Sequence, residues 1–303
     1  MASFANEVKR EIASAVTDKD KRYACLYGVI LFCRNINGNC ISFTTESMEF
    51  SALFRRITQS VFKKSVTVSE DITEKKNGGN IYSLSADNAE MILQKYNIDM
   101  SRREINLRHV VTNSLSSFLA GIFLICGSIS DPNREYHLEF TLPDENLFEA
   151  LHSVLLSIGI DGRKTERKGQ TVLYIKDSEN IEDFLTFIGA QQSTIDIMNI
   201  KIYKDVRNKA NRIANCDSAN IDKVIAAASK QTEDIEFLIR CNLFETLSAE
   251  LRETAELRLE NPEMTLQEIG EMLSKPIGRS GVMRRFKIIS QIADELRTEL
   301  KGG

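Results

Sequence analysis

Two apolar segments, 93 residues apart, repeat each other and set the layout of the first two thirds of the chain. The first is Leu26-Tyr27-Gly28-Val29-Ile30-Leu31-Phe32-Cys33-Arg34-Asn35-Ile36; the second is Leu119-Ala120-Gly121-Ile122-Phe123-Leu124-Ile125-Cys126-Gly127-Ser128-Ile129. Leu, Gly, Leu, Cys and the final Ile match in register. A repeat of this period marks one structural unit used twice. Each segment reads as a buried helix, and Gly28 and Gly121 would let the two backbones approach closely.

The elements after each helix also match. After the first come a strand (40–46), a helix (48–62), a strand pair (65–71 and 80–86) turning at Asn77-Gly78-Gly79-Asn80, and a helix (87–96). After the second come a strand (134–142), a helix (144–158), a hairpin (161–167 and 170–176) turning at Lys168-Gly169, and a helix (178–188). Alternation puts Tyr136, Leu138 and Phe140 on one face of the strand and Glu135, His137, Glu139 and Thr141 on the other. The pattern is α-β-α-β-β-α, twice, with an amphipathic N-terminal helix (1–20) carrying Phe4, Val8, Ile12 and Val16 ahead of it.

This layout, with Leu119-Ala120-Gly121 opening the second helix, resembles the LAGLIDADG homing endonucleases over about residues 20–190. In active members the eighth motif position is a metal-binding acid. Here it is Cys33 and Cys126, and the sixth positions are Leu31 and Leu124. A hard divalent cation needs oxygen ligands, which neither a thiol nor an alkyl group supplies. Asp131, in the turn before Pro132, lies beyond the motif. The resemblance therefore implies a degenerate endonuclease domain at 21–195, with repeats at about 21–97 and 114–190, and with no metal and no cofactor.

Net charge is −4, so a uniformly positive field is excluded; residues 200–303 hold 17 Lys/Arg against 17 Asp/Glu. Nucleic-acid binding must come from local basic surfaces. One is the connector at 196–222, with Lys201, Lys204, Arg207, Lys209 and Arg212 against Asp205; Lys204, Arg207, Lys209 and Arg212 are candidates for contact with DNA backbone, beside the alternative of a solvated helix face. The hairpin residues Arg163, Lys164, Arg167 and Lys168 form a second basic cluster, whereas Glu135 and Glu139 would repel phosphates. The six cysteines make no CxxC pair and read as small buried hydrophobes. The longest apolar run, 118–126, is short of the roughly 20 residues that span a bilayer, and no secretory signal opens the chain, so a cytoplasmic, nucleoid-associated protein with no membrane contact is expected.

The last third reads as a helical domain at 223–303. A helix over 248–260 stops at Asn261-Pro262. Thr265-Leu266-Gln267-Glu268 is a capping box opening a helix to Leu273; Ser274-Lys275-Pro276-Ile277-Gly278 breaks it, and a last helix runs from about 280 to 300. The two helices at about 265–297 form a helix-turn-helix, with Ile269 and Leu273 packing on Val282 and Phe286 and with Gly270 at the crossing. Arg279, Ser280, Met283, Arg284 and Lys287, flanked by Arg285, form a face without acids, suited to guanine edges and phosphates. An ordinary helical hairpin with a basic face is the alternative.

Degenerate repeat, connector and helix-turn-helix, together with Asn211-Arg212-Ile213-Ala214-Asn215-Cys216-Asp217-Ser218-Ala219-Asn220-Ile221-Asp222-Lys223, resemble the WhiA family over nearly the whole chain. The resemblance implies a non-enzymatic transcription regulator of sporulation, cell division or chromosome segregation. Its partner would be double-stranded DNA at promoters, with another regulatory or cell-division protein as a further candidate. Arg34, where the motif has Gly, departs from the pattern. Two other classes compete: a metal-dependent nuclease, and a division or segregation scaffold whose DNA contact is incidental.

Overall fold

Ser3 caps the first helix, α1 (Phe4–Ala15), by accepting from the amide of Asn6, and Val8 and Ile12 turn into the core. The computed structural model describes residues 3–75, 78–110 and 113–302; the Asn77 turn expected from the sequence lies partly outside them. The chain divides into two compact units, Met1–Lys204 and Asp205–Gly303.

In the first unit, α2 (Lys19–Leu31), β1 (Asn35–Asn37), β2 (Cys40–Thr45), α3 (Met48–Phe62), β3 (Val68–Glu74), β4 (Asn80–Ala86) and α4 (Ala89–Lys95) make one repeat. The other is α5 (Leu115–Cys126), β5 (Gly127–Ile129), β6 (Leu138–Thr141), α6 (Leu147–Ser157), β7 (Arg163–Arg167), β8 (Gln170–Ile175) and α7 (Ser178–Phe187). Each repeat folds its strands into an antiparallel four-stranded sheet of the same order, β1-β2-β4-β3 and β5-β6-β8-β7.

Each repeat is thus αββαββα, and the shorter pattern read from the sequence needs correcting. It missed β1 and β5, the three-residue strands just past the paired helices, because three residues are too few to show alternation. The strand expected over 134–142 is shorter. Asp131 accepts from the backbone and side-chain nitrogens of Asn133 at 2.9 and 3.0 Å, a turn that delays pairing with β5 until Leu138.

The β7–β8 turn falls at Lys168-Gly169, with φ of 53° and 72° at the two residues, the doubly left-handed geometry that suits the twist of a tight hairpin. A Cβ on Gly28 would collide with the carbonyl oxygen of Phe118, and one on Gly121 with that of Cys25, so the two glycines set the α2–α5 contact. Tyr27 and Phe118 stack beside it at 5.2 Å, and one hydrophobic core runs through both repeats.

Helix α8 (Gln191–Arg240) is 50 residues long. The Glu11 carboxylate caps its start, accepting from the amides of Gln192 and Ser193 at 3.1 and 3.0 Å, where the helix dipole favours an anion. The connector expected at 196–222 is therefore helical throughout. From 205 to 227 every described side chain is exposed, including Val206, Ile213, Ile221 and Ile225.

In the second unit, the end of α8 joins α9 (Ala249–Glu260), α10 (Leu266–Met272) and α11 (Arg279–Gly302) around a separate core of Ile235, Leu238, Ala255, Ile269, Leu273, Val282, Phe286, Ile289 and Ala293. Among the described residues no helix is long and apolar enough to cross a membrane.

Candidate nucleic-acid interface

The turn between α10 and α11 is held from several sides. Thr265 and Glu268 form the capping box, with Glu268 N donating to Thr265 Oγ1 at 3.3 Å and Thr265 N to Glu268 Oε2 at 2.8 Å. Glu253 of α9 accepts from the amide of Ser274 at 2.6 Å and from its hydroxyl at 3.2 Å. Ile277 N donates to the carbonyl of Gly270 at 3.1 Å, and any Cβ on Gly270 would strike the carbonyl of Ile277. Val282, Phe286 and Ile289 are buried on Ile269 and Leu273, which fixes the rotation of α11.

That rotation leaves Arg279, Ser280, Met283, Arg284 and Lys287 exposed. At 100° per residue they fall within about 140° of arc on one side of the helix. Among the described residues none of the three cations has an ion pair, so their donors are free for an incoming acceptor.

Arg285 needs correcting. It is not on this face but about 170° from its centre. It donates to Thr254 Oγ1 at 3.0 Å and to the carbonyl of Glu250 at 3.3 Å, and pairs with the Glu250 carboxylate at 3.4 Å. The same helical count, applied to the sequence, separates it from Arg284.

The connector cations divide. Lys204 donates to the carbonyl of Pro132 at 2.7 Å and lies over the Tyr136 ring at 4.8 Å, so it is engaged within the first unit and not offered to a ligand. Lys201 is likewise engaged, with Glu179 and Glu182 at 3.6 and 3.5 Å; these carboxylates raise its pKa against the effect of burial. Arg207, Lys209 and Arg212 are exposed on α8. On the second sheet, Glu139 is held by Arg167 at 3.2 Å and by His137 at 3.0 Å, and Lys164 pairs with Glu145 at 2.5 Å. Of the hairpin cations, Lys164 and Arg167 are thus paired with neighbouring carboxylates, whereas Arg163 and Lys168 have no ion pair among the described residues.

At the ends of the paired helices, Leu31 and Leu124 are buried in the core. Cys33 is buried and Cys126 partly so; their thiols donate to the carbonyls of Ser42 at 3.5 Å and Ile122 at 3.3 Å. Burial pushes the Cys33 thiol up to about 11 and the Cys126 thiol up to about 12, so both are neutral at physiological pH and neither offers a thiolate.

Two cations that sequence reading missed cover the same helix ends. Lys9 of α1 donates to the carbonyl of Leu124 at 3.1 Å. Arg103 donates to the carbonyls of Leu31 and Cys33 at 3.3 and 2.8 Å. Both fit the negative end of a helix dipole, and burial lowers the pKa of each. Periodicity could not find them, because each lies more than 65 residues from its acceptor.

Comparison with known proteins matches both units. Residues 115–207 match the WhiA LAGLIDADG-like domain, and residues 210–293 match the WhiA C-terminal HTH domain. A "Probable cell division protein WhiA" of Caldicellulosiruptor bescii is 33% identical over 320 residues, covering 99% of this chain and 97% of the relative. One of Clostridium perfringens is 34% identical over 314 residues, covering 98% and 99%. The crystal structure of full-length DUF199/WhiA from Thermatoga maritima superposes with a TM-score of 0.59 at 25% identity, over 97% of this chain and 99% of that one. On its sequence over its whole length and on its two domains, the chain belongs to the WhiA family.

Proposed function

We propose that the chain is a transcription regulator that binds double-stranded DNA at promoters without cutting it. The observation that carries this reading is the α11 face: Arg279, Ser280, Met283, Arg284 and Lys287 project from a helix whose rotation is fixed by packing and by a tied turn. Guanidinium groups on such a face match guanine edges bidentately, while the lysine and the serine hydroxyl suit phosphates. Arg207, Lys209 and Arg212 add further cations for the backbone. The names of the relatives support a role in cell division, and regulation of sporulation or of chromosome segregation belongs to the same proposal.

The absence of cutting is supported by the helix ends, where neutral thiols, leucines and two side-chain cations stand in place of a carboxylate pair. Supercoiled plasmid incubated with the protein and Mg²⁺ or Mn²⁺ should stay unnicked; nicking that scales with protein through purification overturns this part. Genome-wide binding maps test the rest. Sharp peaks at promoters are expected, whereas diffuse coverage would favour a scaffold whose DNA contact is incidental.

A further inference from the structure

The ninth motif position differs between the repeats: Arg34 in the first, Gly127 in the second. A Cβ at Gly127 would collide with Phe123, so nothing larger fits there. Beside Gly127 lies a cavity of about 340 Å³ lined by Arg34, Asn35, Ser42, Thr44, Cys126 and Thr141, with no carboxylate in its lining.

Arg34 is exposed and makes no ion pair, and the hydroxyls of Ser42, Thr44 and Thr141 make no hydrogen bond among the described residues. Burial raises the Cys126 thiol, and the charges of Lys9 and Arg34 act on it in the opposite direction. A second cavity, of about 420 Å³, adjoins at Thr44 and Gly127 and carries Lys9 together with Ser3, Asn6 and Ser128. Of the acids nearby, Glu46, in that second cavity, pairs with Lys75, and Glu145 pairs with Lys164; Glu145 lines a third cavity that also touches Arg34, together with Asp144 and Glu166, which have no ion pair among the described residues.

We propose that this acid-free cavity binds a phosphoryl oxyanion. The Arg34 guanidinium supplies charge and a two-pronged donor, the Ser42, Thr44 and Thr141 hydroxyls complete the donor set, and no metal is used. The phosphoryl group can come from a free phosphate-bearing solute or from a DNA backbone. Only the second source rests on the DNA-binding reading.

The test uses the full chain. Inorganic phosphate is titrated against chloride at matched ionic strength while the thermal midpoint is followed. Phosphate at ten times its Kd should raise the midpoint by about 3 °C, and neither Arg34→Gln nor Thr44→Val should show the full rise. In parallel, the salt slope for a duplex is measured in the Arg284→Ala background, with and without Arg34→Gln.

If the cavity takes a DNA phosphate, Arg34→Gln lowers that slope by about one unit. If phosphate responds while the slope is unchanged, the ligand is a free solute. The proposal is overturned if Arg34→Gln responds to phosphate like the wild type, or if the wild type shows no response and the slope does not move. Loss of duplex binding by Arg284→Ala alone reports on the α11 face and leaves the phosphate titration independent.

Discussion

Nη1 of Arg285 lies 3.0 Å from Oγ1 of Thr254, turned inward, while its sequence neighbour Arg284, about 100° away around α11, is exposed. The two arginines therefore have separable effects. Arg284→Ala should weaken binding to the preferred site tenfold or more, on the order of 1.4 kcal/mol, and move stability by less than about 0.5 kcal/mol. Arg285→Ala should do the reverse. It strips the carbonyl of Glu250 and the hydroxyl of Thr254 of a donor and should cost about 1–2 kcal/mol of stability. Fluorescence anisotropy with a labelled duplex and urea unfolding of both variants separate the two; equal losses of affinity would show that Arg285 also reaches DNA.

Arg258 is only 2% exposed, donates to the carbonyls of Met264 at 2.6 Å and Pro262 at 3.2 Å and to Gln231 Oε1 at 3.1 Å, and stacks over Phe286 at 5.4 Å. It holds the loop before α10 against the end of α8. Arg258→Met should leave those buried acceptors unpaired and cost about 3 kcal/mol. Hydrogen exchange would show the loss confined to residues after 228; a urea midpoint within about 0.2 M of wild type contradicts the assignment.

Residues 205–227 of α8 have no tertiary cover, and helical hydrogen bonds without packing open readily. Their amides should exchange well before those of α2 and α5, and limited proteolysis should cut here first. Protection equal to that of the core helices would mean the segment is covered in solution.

The thiols give a pH test. Cys216 is exposed, whereas Cys25, Cys33 and Cys126 are raised from 9.0 to about 12, 11 and 12 by burial. Iodoacetamide at pH 8 should modify Cys216 and spare these three. In the unfolded chain the same thiols ionise near 9, so the unfolded state loses protons first as pH rises. Their contribution to stability is complete below about pH 9 and is lost progressively as pH rises towards 11–12. Thermal midpoints at pH 8 and pH 10.5 should fall in that order, and a rising midpoint would contradict the assigned burial.

Glu139→Ala should change duplex affinity little, since the carboxylate is held by Arg167 and His137 within the sheet. If substitutions at 163–168 abolish binding while Arg284→Ala binds normally, the sheet is the reader and the division of labour is reversed.

Local features were the ones legible in the sequence. The α2 and α5 repeat, the Lys168-Gly169 turn, the Thr265–Glu268 box and the Val282–Phe286–Ile289 stripe each come from spacing over a few residues, and each is where expected. The hidden features depend on distance or brevity. β1 and β5 are three residues each. Lys9 and Arg103 act on carbonyls far along the chain. The Asn-rich run has so little apolar periodicity of its own that nothing announced α8 as a single 50-residue helix. Arg285 was legible in principle, because helical geometry alone places it about 170° from the centre of the face formed by Arg279, Ser280, Met283, Arg284 and Lys287.

The cations over Leu124 and Leu31 bear on any carboxylate brought to these helix ends. An aspartate placed at 126 or 33 would meet Lys9 or Arg103 before it met a metal ion, and a short internal ion pair would quench the charge needed to hold that ion. A carboxylate introduced at either position would therefore have its charge shared with a resident cation.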